Sequence, residues 1–148
     1  MRPRNYLILT LVMAGLVAPL AAQGKADAEG MVRKAIAFAT AQGKDKALAE
    51  ISRPGGAFTK GSLYVFVYDL QGKVVAHGQN PRLVGKDMLE ATDPDGVPYV
   101  KNRIALVKAK GKGWQDYKFS NPVTKKIEPK VAYVELHDSL IFGCGVYK

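Results

Sequence analysis

The sequence has one cysteine, Cys144, among its 148 residues. A single cysteine excludes an intramolecular disulfide, so the hydrophobic core has to stabilise the fold. Cys144 lies in the apolar segment 140–146. We expect a small buried side chain there, and a catalytic thiol or an intermolecular disulfide is the alternative.

The sequence also lacks an uninterrupted apolar run of the about 20 residues that a transmembrane helix requires. The apolar run over residues 6–20 follows Arg2 and Arg4 and precedes small residues, a pattern typical of a signal peptide. We therefore expect a signal peptide over residues 1–24, cleaved between positions 22 and 26, and one domain over residues 25–148. The expected location is periplasmic or secreted, and an uncleaved anchor is the alternative.

Acidic residues are scarce relative to basic ones, since 13 Asp and Glu stand against 22 Lys and Arg, for a formal charge of +9. Removing Arg2 and Arg4 lowers this charge by two, to +7, and a basic surface attracts anions. The lysines are scattered and no basic cluster alternates with aromatic residues. We therefore expect no nucleic-acid partner.

Residues suited to catalysis or metal binding are few. The two histidines, His77 and His137, are far apart and have no ligand spacing with Cys144, so we expect no metal and no cofactor. No serine has a nucleophile-elbow context, no glycine-rich phosphate loop precedes a helix, and no carboxylate pair stands out. The sequence therefore predicts a protein that is not an enzyme.

Hydrophobic spacings near three and four predict an amphipathic helix over residues 25–51, interrupted at Gly43 and ended by residues 53–56. A β-branched and aromatic run over residues 63–68, followed by a turn and residues 74–77, predicts a β-hairpin.

The rest of the chain alternates loop, helix and strands. Residues 78–95 predict a long loop with one helical turn at 86–91, and residues 99–110 predict a second helix. Three further strands, predicted as an antiparallel meander, cover residues 114–120, 127–136 and 139–147. The fold class is therefore α+β: a long N-terminal helix on a five-stranded antiparallel sheet, with a loop and helix inserted after the second strand.

Several short motifs follow one another in a recognisable order. They are YVFVYD at 64–69, GKVVAH at 72–77, NPRLVGKD at 80–87, DPDG at 93–96, GWQDY at 113–117, NP at 121–122 and KVAYV at 130–134. This series resembles a single Cache domain of the second type over residues 28–148.

The resemblance implies a PAS-like extracytoplasmic sensor fold in which a central antiparallel sheet cups a small ligand. Most relatives lie between two transmembrane helices at the input end of chemoreceptors, histidine kinases or cyclic-nucleotide enzymes, and many bind small carboxylates. No second apolar helix and no signalling module follow the last predicted strand. We therefore expect a free-standing periplasmic form.

The resemblance also implies that the ligand lies between the sheet and the long loop with its following helix. Strand alternation places Tyr64, Phe66 and Tyr68 on one face, where their rings either line a pocket or form core. His77 at the hairpin end is a candidate donor or a structural group. Arg82 and Lys86 offer cations from the loop, and solvated side chains are the alternative for both.

The remaining candidates lie on the last strands. Trp114 and Tyr117 would wall the site, with packing against the long helix as the alternative. Lys130 and Tyr133 match a Lys-x-x-Tyr pattern of the family, but their spacing puts them on opposite faces unless a bulge near Pro129 intervenes. The expected ligand-binding residues are Tyr64, Phe66, Tyr68, His77, Arg82, Lys86, Trp114, Tyr117, Lys130 and Tyr133.

The expected function is periplasmic binding of a small organic anion such as a short carboxylate, with a membrane receptor or transporter as partner. The alternative is a structural or interaction protein whose pocket is filled by its own side chains and which pairs with a membrane receptor or another subunit. A homodimer through the N-terminal helix belongs to the same alternative. An exposed apolar stripe on Met31, Ile36 and Phe38 would favour it.

Overall fold

The computed structural model describes the backbone of residues 20–148 and the side chains from residue 24 onward. Nearly all of the predicted signal peptide therefore lies outside the described residues. Within residues 20–148, no helix combines the length and the apolar character needed to cross a membrane.

Two helices open the described chain, α1 (Leu20–Gln42) and α2 (Lys44–Ser52). Gly43 separates them with a φ of 92°, a backbone conformation that glycine adopts readily and other residues rarely do. The predicted interruption of the long helix at Gly43 is therefore confirmed, and α2 ends just before the predicted Arg-Pro-Gly-Gly segment.

The sheet contains the five predicted strands and one short addition. Its strands are β1 (Thr59–Lys60), β2 (Leu63–Asp69), β3 (Val74–His77), β4 (Lys112–Ser120), β5 (Ile127–His137) and β6 (Leu140–Tyr147). All pairings are antiparallel in the order β1-β2-β6-β5-β4, and β3 pairs with residues 66–68 of β2 on the edge opposite β6, next to the segment that pairs with β1. The predicted hairpin and meander are both confirmed.

The helical turn predicted at residues 86–91 is wrong. A 3-10 turn forms earlier, at Pro81–Leu83, where the Asn80 side chain accepts a hydrogen bond from the Arg82 N–H. The following residues instead run beside β3, since Val74 N–H donates to the Lys86 carbonyl and Gly85 N–H donates to the Val74 carbonyl. Backbone pairing to the sheet thus replaces the local helical bonds.

The inserted helix α3 (Tyr99–Lys110) has its predicted bounds. Gly111 ends it in the left-handed conformation, with a φ of 77°, and donates its N–H to the Val107 carbonyl. This is the common glycine cap of a helix C-terminus. It turns the chain directly into β4.

The two faces of the sheet bury two separate clusters. One cluster lies under α1 and α2 and includes Val65 and Val67 of β2. The other lies under α3 and the long loop and includes Tyr64, Phe66 and Tyr68. The predicted alternation along β2 is therefore confirmed.

The stripe on α1 that would favour the interaction-protein alternative is not exposed. Met31, Ile36 and Phe38 are half-buried and pack against the cluster under α1 and α2.

Candidate ligand-binding site

Two cations are buried in the cluster under α3. Arg103 of α3 and Lys130 of β5 are each 1% exposed. Neither forms an ion pair with a carboxylate among residues 24–148. Buried cations are normally paired because removing a charge from water is costly. This cluster therefore has positive charge without a compensating anion.

Aromatic rings surround the Arg103 guanidinium. Its central carbon lies 4.6 Å from the ring centroids of Phe66 and Tyr68, and 5.4 Å from those of Tyr99 and Tyr117. Rings at these distances attract a cation through their negative faces. They hold the guanidinium in place while leaving its charge unneutralised.

Gln115 fixes the orientation of the same guanidinium. Its side-chain oxygen accepts a hydrogen bond from Arg103 Nε at 3.0 Å, and its amide nitrogen donates to the Tyr99 carbonyl at 3.1 Å. Both Gln115 groups are thus used within the protein, and α3 is tied to β4 through them.

Rings also surround the Lys130 ammonium group. Nζ lies 4.2 Å from the Tyr64 ring centroid, 4.9 Å from that of Tyr147, 5.4 Å from that of Phe66 and 5.6 Å from that of Phe119. Lys130 Nζ donates a hydrogen bond to the Tyr64 hydroxyl at 3.0 Å. Burial, with a contribution from Arg103, lowers the pKa of Lys130 to about 7.

The Phe66 ring brings the two cations into one site. It lies 4.6 Å from the Arg103 guanidinium carbon and 5.4 Å from Lys130 Nζ, measured from its centroid. The same aromatic ring therefore contacts both cations on the α3 side of the sheet.

His77 is a neutral member of the cluster. Its Nδ1 accepts hydrogen bonds from the backbone N–H groups of Gln79 at 3.2 Å and Asn80 at 2.9 Å. These bonds place the ring proton on Nε2 and make that atom a donor. Burial, followed by the charges of Lys130 and Arg103, lowers the pKa of His77 to about 3.

A cleft of about 240 Å³ is lined in part by Tyr117 and Lys130. The three carboxylates that line it already have partners. Asp95 pairs with Lys118 at 2.9 Å and Asp116 pairs with Lys148. The third, Asp93, accepts backbone hydrogen bonds only, so none of them neutralises the buried cations.

The Asp93 carboxylate holds the loop before α3 against β4. One oxygen accepts from the N–H groups of Asp95 and Val97, and the other accepts from Lys118 N–H, each at 2.9 Å. Burial opposes the charge of this group, but the three donors outweigh it and keep the pKa of Asp93 below its usual value.

A larger cleft, about 610 Å³, lies on the opposite side, between α1 and β2. None of its lining residues is buried, and its charged side chains, Asp27, Lys34 and Lys60, are exposed. A small ligand needs an enclosed site with convergent polar groups. Of the two clefts, the smaller is the one lined by buried polar side chains, those of Asp93, Tyr117 and Lys130.

Six of the ten predicted site residues lie together in the cluster under α3. They are Tyr64, Phe66, Tyr68, His77, Tyr117 and Lys130.

The other four predicted residues lie elsewhere. Arg82 and Lys86 are exposed in the loop after β3. Trp114 and Tyr133 pack against each other in the cluster under α1 and α2, with ring centroids 5.4 Å apart and ring planes tilted by 58°. Both therefore lie on the helix side of the sheet. No register shift interrupts β5, and Lys130 and Tyr133 accordingly point to opposite faces.

Sequence reasoning missed Arg103, Tyr99, Gln115, Phe119 and Tyr147. Arg103 had a detectable signal because it follows Tyr99 by four positions and Val100 by three, on the apolar stripe of a predicted helix. A charged residue on a buried stripe requires a partner or a function. The other four carried no comparable signal.

The α+β architecture, with a buried cationic site between the sheet and an inserted loop and helix, defines a PAS-like sensor domain. The chain belongs to the family described as single Cache domain 2, whose model matches residues 27–147.

Two curated relatives are receptors. Over 86 residues, 57% of this chain, it is 37% identical to the sensor histidine kinase MctS of Rhizobium johnstonii and covers 18% of that protein. It is 30% identical over 86 residues to the methyl-accepting chemotaxis protein McpP of Pseudomonas putida and covers 16% of it. The matched segment thus spans less than a fifth of each relative.

Two solved structures share the fold at comparable sequence identity. A periplasmic sensor domain of a chemotaxis protein is 27% identical with a TM-score of 0.70, and the match covers 88% of this chain and 99% of that one. A Cache chemosensory domain described for its carboxylic acid recognition is 29% identical with a TM-score of 0.66, covering 86% and 90% of the two chains. The chain is therefore a Cache sensor-type domain.

Proposed function

We propose that this domain acts outside the cytoplasm and binds a small organic anion, a short carboxylate, between Arg103 and Lys130. The observation that carries the proposal is the pair of buried cations without a carboxylate partner. A ligand carboxylate would supply the missing negative charge and accept the charge-assisted hydrogen bonds that buried cations require.

The surroundings of the two cations support a ligand of this class. A guanidinium offers two parallel donors that match the two oxygens of a carboxylate. Rings of Phe66, Tyr68 and Tyr117 provide an apolar wall, and the neutral His77 offers a further donor from Nε2. The carboxylic acid recognition described for one similar structure supports the same chemistry.

The proposed output is communication with a membrane receptor or transporter. Its support is the pair of curated relatives, a sensor histidine kinase and a chemotaxis receptor.

A thermal-shift measurement on the purified chain tests the binding. Formate, acetate, propionate, pyruvate and succinate are added singly, and propylamine serves as a control similar in size to propionate but with opposite charge. A ligand at 100 times its dissociation constant stabilises the folded state by about 2.7 kcal/mol. We expect at least one carboxylate to raise the melting temperature and propylamine to leave it unchanged.

Variants locate the binding within the molecule. Arg103→Lys keeps a cation but loses the bidentate geometry, so we expect the dissociation constant to rise about tenfold or more. Arg82→Lys, at an exposed position, is the matched control and should bind like the unaltered chain. Absence of any shift with the carboxylates would contradict the proposal and favour the interaction protein with a self-filled pocket.

A further inference from the structure

Lys130 is the one cation of the site whose charge can change near neutral pH, since an arginine stays protonated throughout. Its ammonium group is 1% exposed. Its hydrogen-bond acceptor is the neutral Tyr64 hydroxyl, and the second cation of the site, Arg103, disfavours a further positive charge.

The titratable and charged groups around Lys130 come from every element packed against it. They are Tyr64 of β2, His77 of β3, Arg103 of α3, Tyr117 of β4, and Cys144 and Tyr147 of β6. The cleft beside Lys130 is also lined by the charged residues Asp93, Asp95, Asp116, Lys118 and Lys148.

None of the groups from β2, β3, α3, β4 and β6 is negatively charged near pH 7. Burial raises the pKa of Tyr64 and Tyr117, and raises those of Tyr147 and Cys144 to about 12. The carboxylates of the cleft are bound elsewhere and none forms an ion pair with Lys130: Asp93 accepts three backbone N–H groups, Asp95 pairs with Lys118 and Asp116 pairs with Lys148.

A ligand carboxylate would favour the protonated, charged form of Lys130. It would be an anion in direct contact with Lys130, which forms no ion pair with a carboxylate among residues 24–148. An adjacent negative charge favours the protonated form of an amine. We infer that the site takes up its carboxylate together with a proton, and that Lys130 receives the proton. This inference rests on the proposed carboxylate site and adds to it a coupling between ligand binding and pH.

His77 is not an alternative acceptor for this proton. Protonating Nδ1 would break the hydrogen bonds from Gln79 and Asn80, and the pKa of His77, lowered to about 3 by burial and by the two cations, leaves it neutral throughout. The proton count upon binding therefore reports on Lys130.

The direction of the pH dependence follows from linkage. A complex that holds more protons than the free protein is weakened as pH rises. With the free amine titrating near pH 7, we expect an uptake of about one proton at about pH 8 and a dissociation constant that rises about tenfold per pH unit from there. Between about pH 6 and 7 the change should be about twofold at most.

Isothermal titration calorimetry of the full chain measures the uptake. Acetate, propionate, pyruvate and succinate are the probes, and each that binds is titrated at about pH 8 in HEPES and in Tris. These buffers differ in ionisation enthalpy, so the difference in apparent binding enthalpy gives the number of protons. We expect a value near one for the unaltered chain.

Two variants assign the proton to Lys130. Lys130→Arg keeps a permanent cation and should bind with no proton uptake and with a flat pH profile. Lys130→Gln, which is smaller, should bind more weakly and also without uptake, and it serves if arginine disturbs the packing. Lys108→Arg, an exposed lysine on α3, is the control and should retain the full uptake.

The outcomes separate the two proposals. No binding of any of the four carboxylates at any pH overturns the proposed function. Binding without proton uptake, or uptake that persists in both Lys130 variants, leaves the function standing and overturns this inference. As an independent measurement, NMR titration of the Lys130 side chain in the free protein should give a midpoint near pH 7 that rises when propionate is present, and a midpoint near the usual 10.5 would also overturn it.

Discussion

Gly145 of β6 provides the space in which the Lys130 side chain lies. A Cβ added at Gly145 would be 2.5 Å from Lys130 Cε and 2.8 Å from the Val131 carbonyl oxygen. Gly143, two positions earlier, likewise makes space for the Phe66 ring, because a Cβ added at Gly143 would lie 2.2 Å from that ring. The two glycines thus form the floor of the site under the lysine and the aromatic ring.

Substitution of Gly145 tests this role. Gly145→Ala forces Lys130 and the backbone of β5 to move, so we expect a loss of about 1–3 kcal/mol in the free energy of unfolding together with weaker carboxylate binding. The control is Gly30→Ala in α1, where an added Cβ has no neighbour within 4 Å. That change should raise stability by about 0.5–1 kcal/mol, since alanine favours a helix interior.

Urea denaturation with a carboxylate titration measures both quantities. If Gly145→Ala leaves both stability and carboxylate binding unaltered, then Gly145 does not position Lys130.

At the level of single residues, the burial of Arg103 among aromatic rings was not predicted from the sequence. The spacing of Val100, Ile104 and Val107 predicts α3 correctly, and Arg103 lies on the same stripe. Its burial depends on rings contributed by β2 and β4, which are distant in sequence. Helix propensity and hydrophobic periodicity depend on residues that are close in the sequence. They therefore do not predict that an arginine packs against aromatic rings from distant strands.

At the level of elements, the loop before α3 is held by one side chain. Asp93 bonds the N–H groups of Asp95 and Val97 within the loop and that of Lys118 on β4. Because α3 carries Arg103, the position of this loop also sets the position of the guanidinium over the sheet.

Removal of the Asp93 carboxylate should loosen this attachment. Asp93→Ala leaves three N–H groups without their acceptor, and we expect a loss of about 1–3 kcal/mol in the free energy of unfolding. Asp95→Ala is the control: it removes only an ion pair with Lys118 that is 57% exposed on the aspartate side, which should cost less than about 1 kcal/mol.

Hydrogen exchange gives the local readout for the same pair of variants. The Val97 and Lys118 amides should exchange faster in Asp93→Ala and remain protected in Asp95→Ala. Equal protection in the two variants would mean that the loop is held by other contacts.

The elements themselves were more predictable than the loop. Repeated spacing predicted α1, α3 and the five longer strands, because many residues contribute to each pattern. The turn at 81–83 depends on one asparagine side chain and on pairing with β3. Because so few residues determine this turn, it has no repeated pattern in the sequence. The predicted turn, at 86–91, therefore began five positions too late.

At the level of the whole molecule, the two faces of the sheet bury different kinds of side chains. The face under α1 and α2 packs Val65, Tyr133 and Phe142 with Cys144 into an apolar cluster. The face under α3 contains both buried cations and His77. Among the described residues, β5 links the two faces, since it carries Lys130 on one face and Tyr133 on the other.

A crystal structure of the chain with the carboxylate that gives the largest thermal shift is the most direct test of the account. We expect the carboxylate oxygens within about 2.7–3.2 Å of an Arg103 guanidinium nitrogen and of Lys130 Nζ, with the rings of Phe66 and Tyr117 around the ligand. A ligand bound in the cleft between α1 and β2, with Arg103 and Lys130 still surrounded only by their own rings, would contradict it.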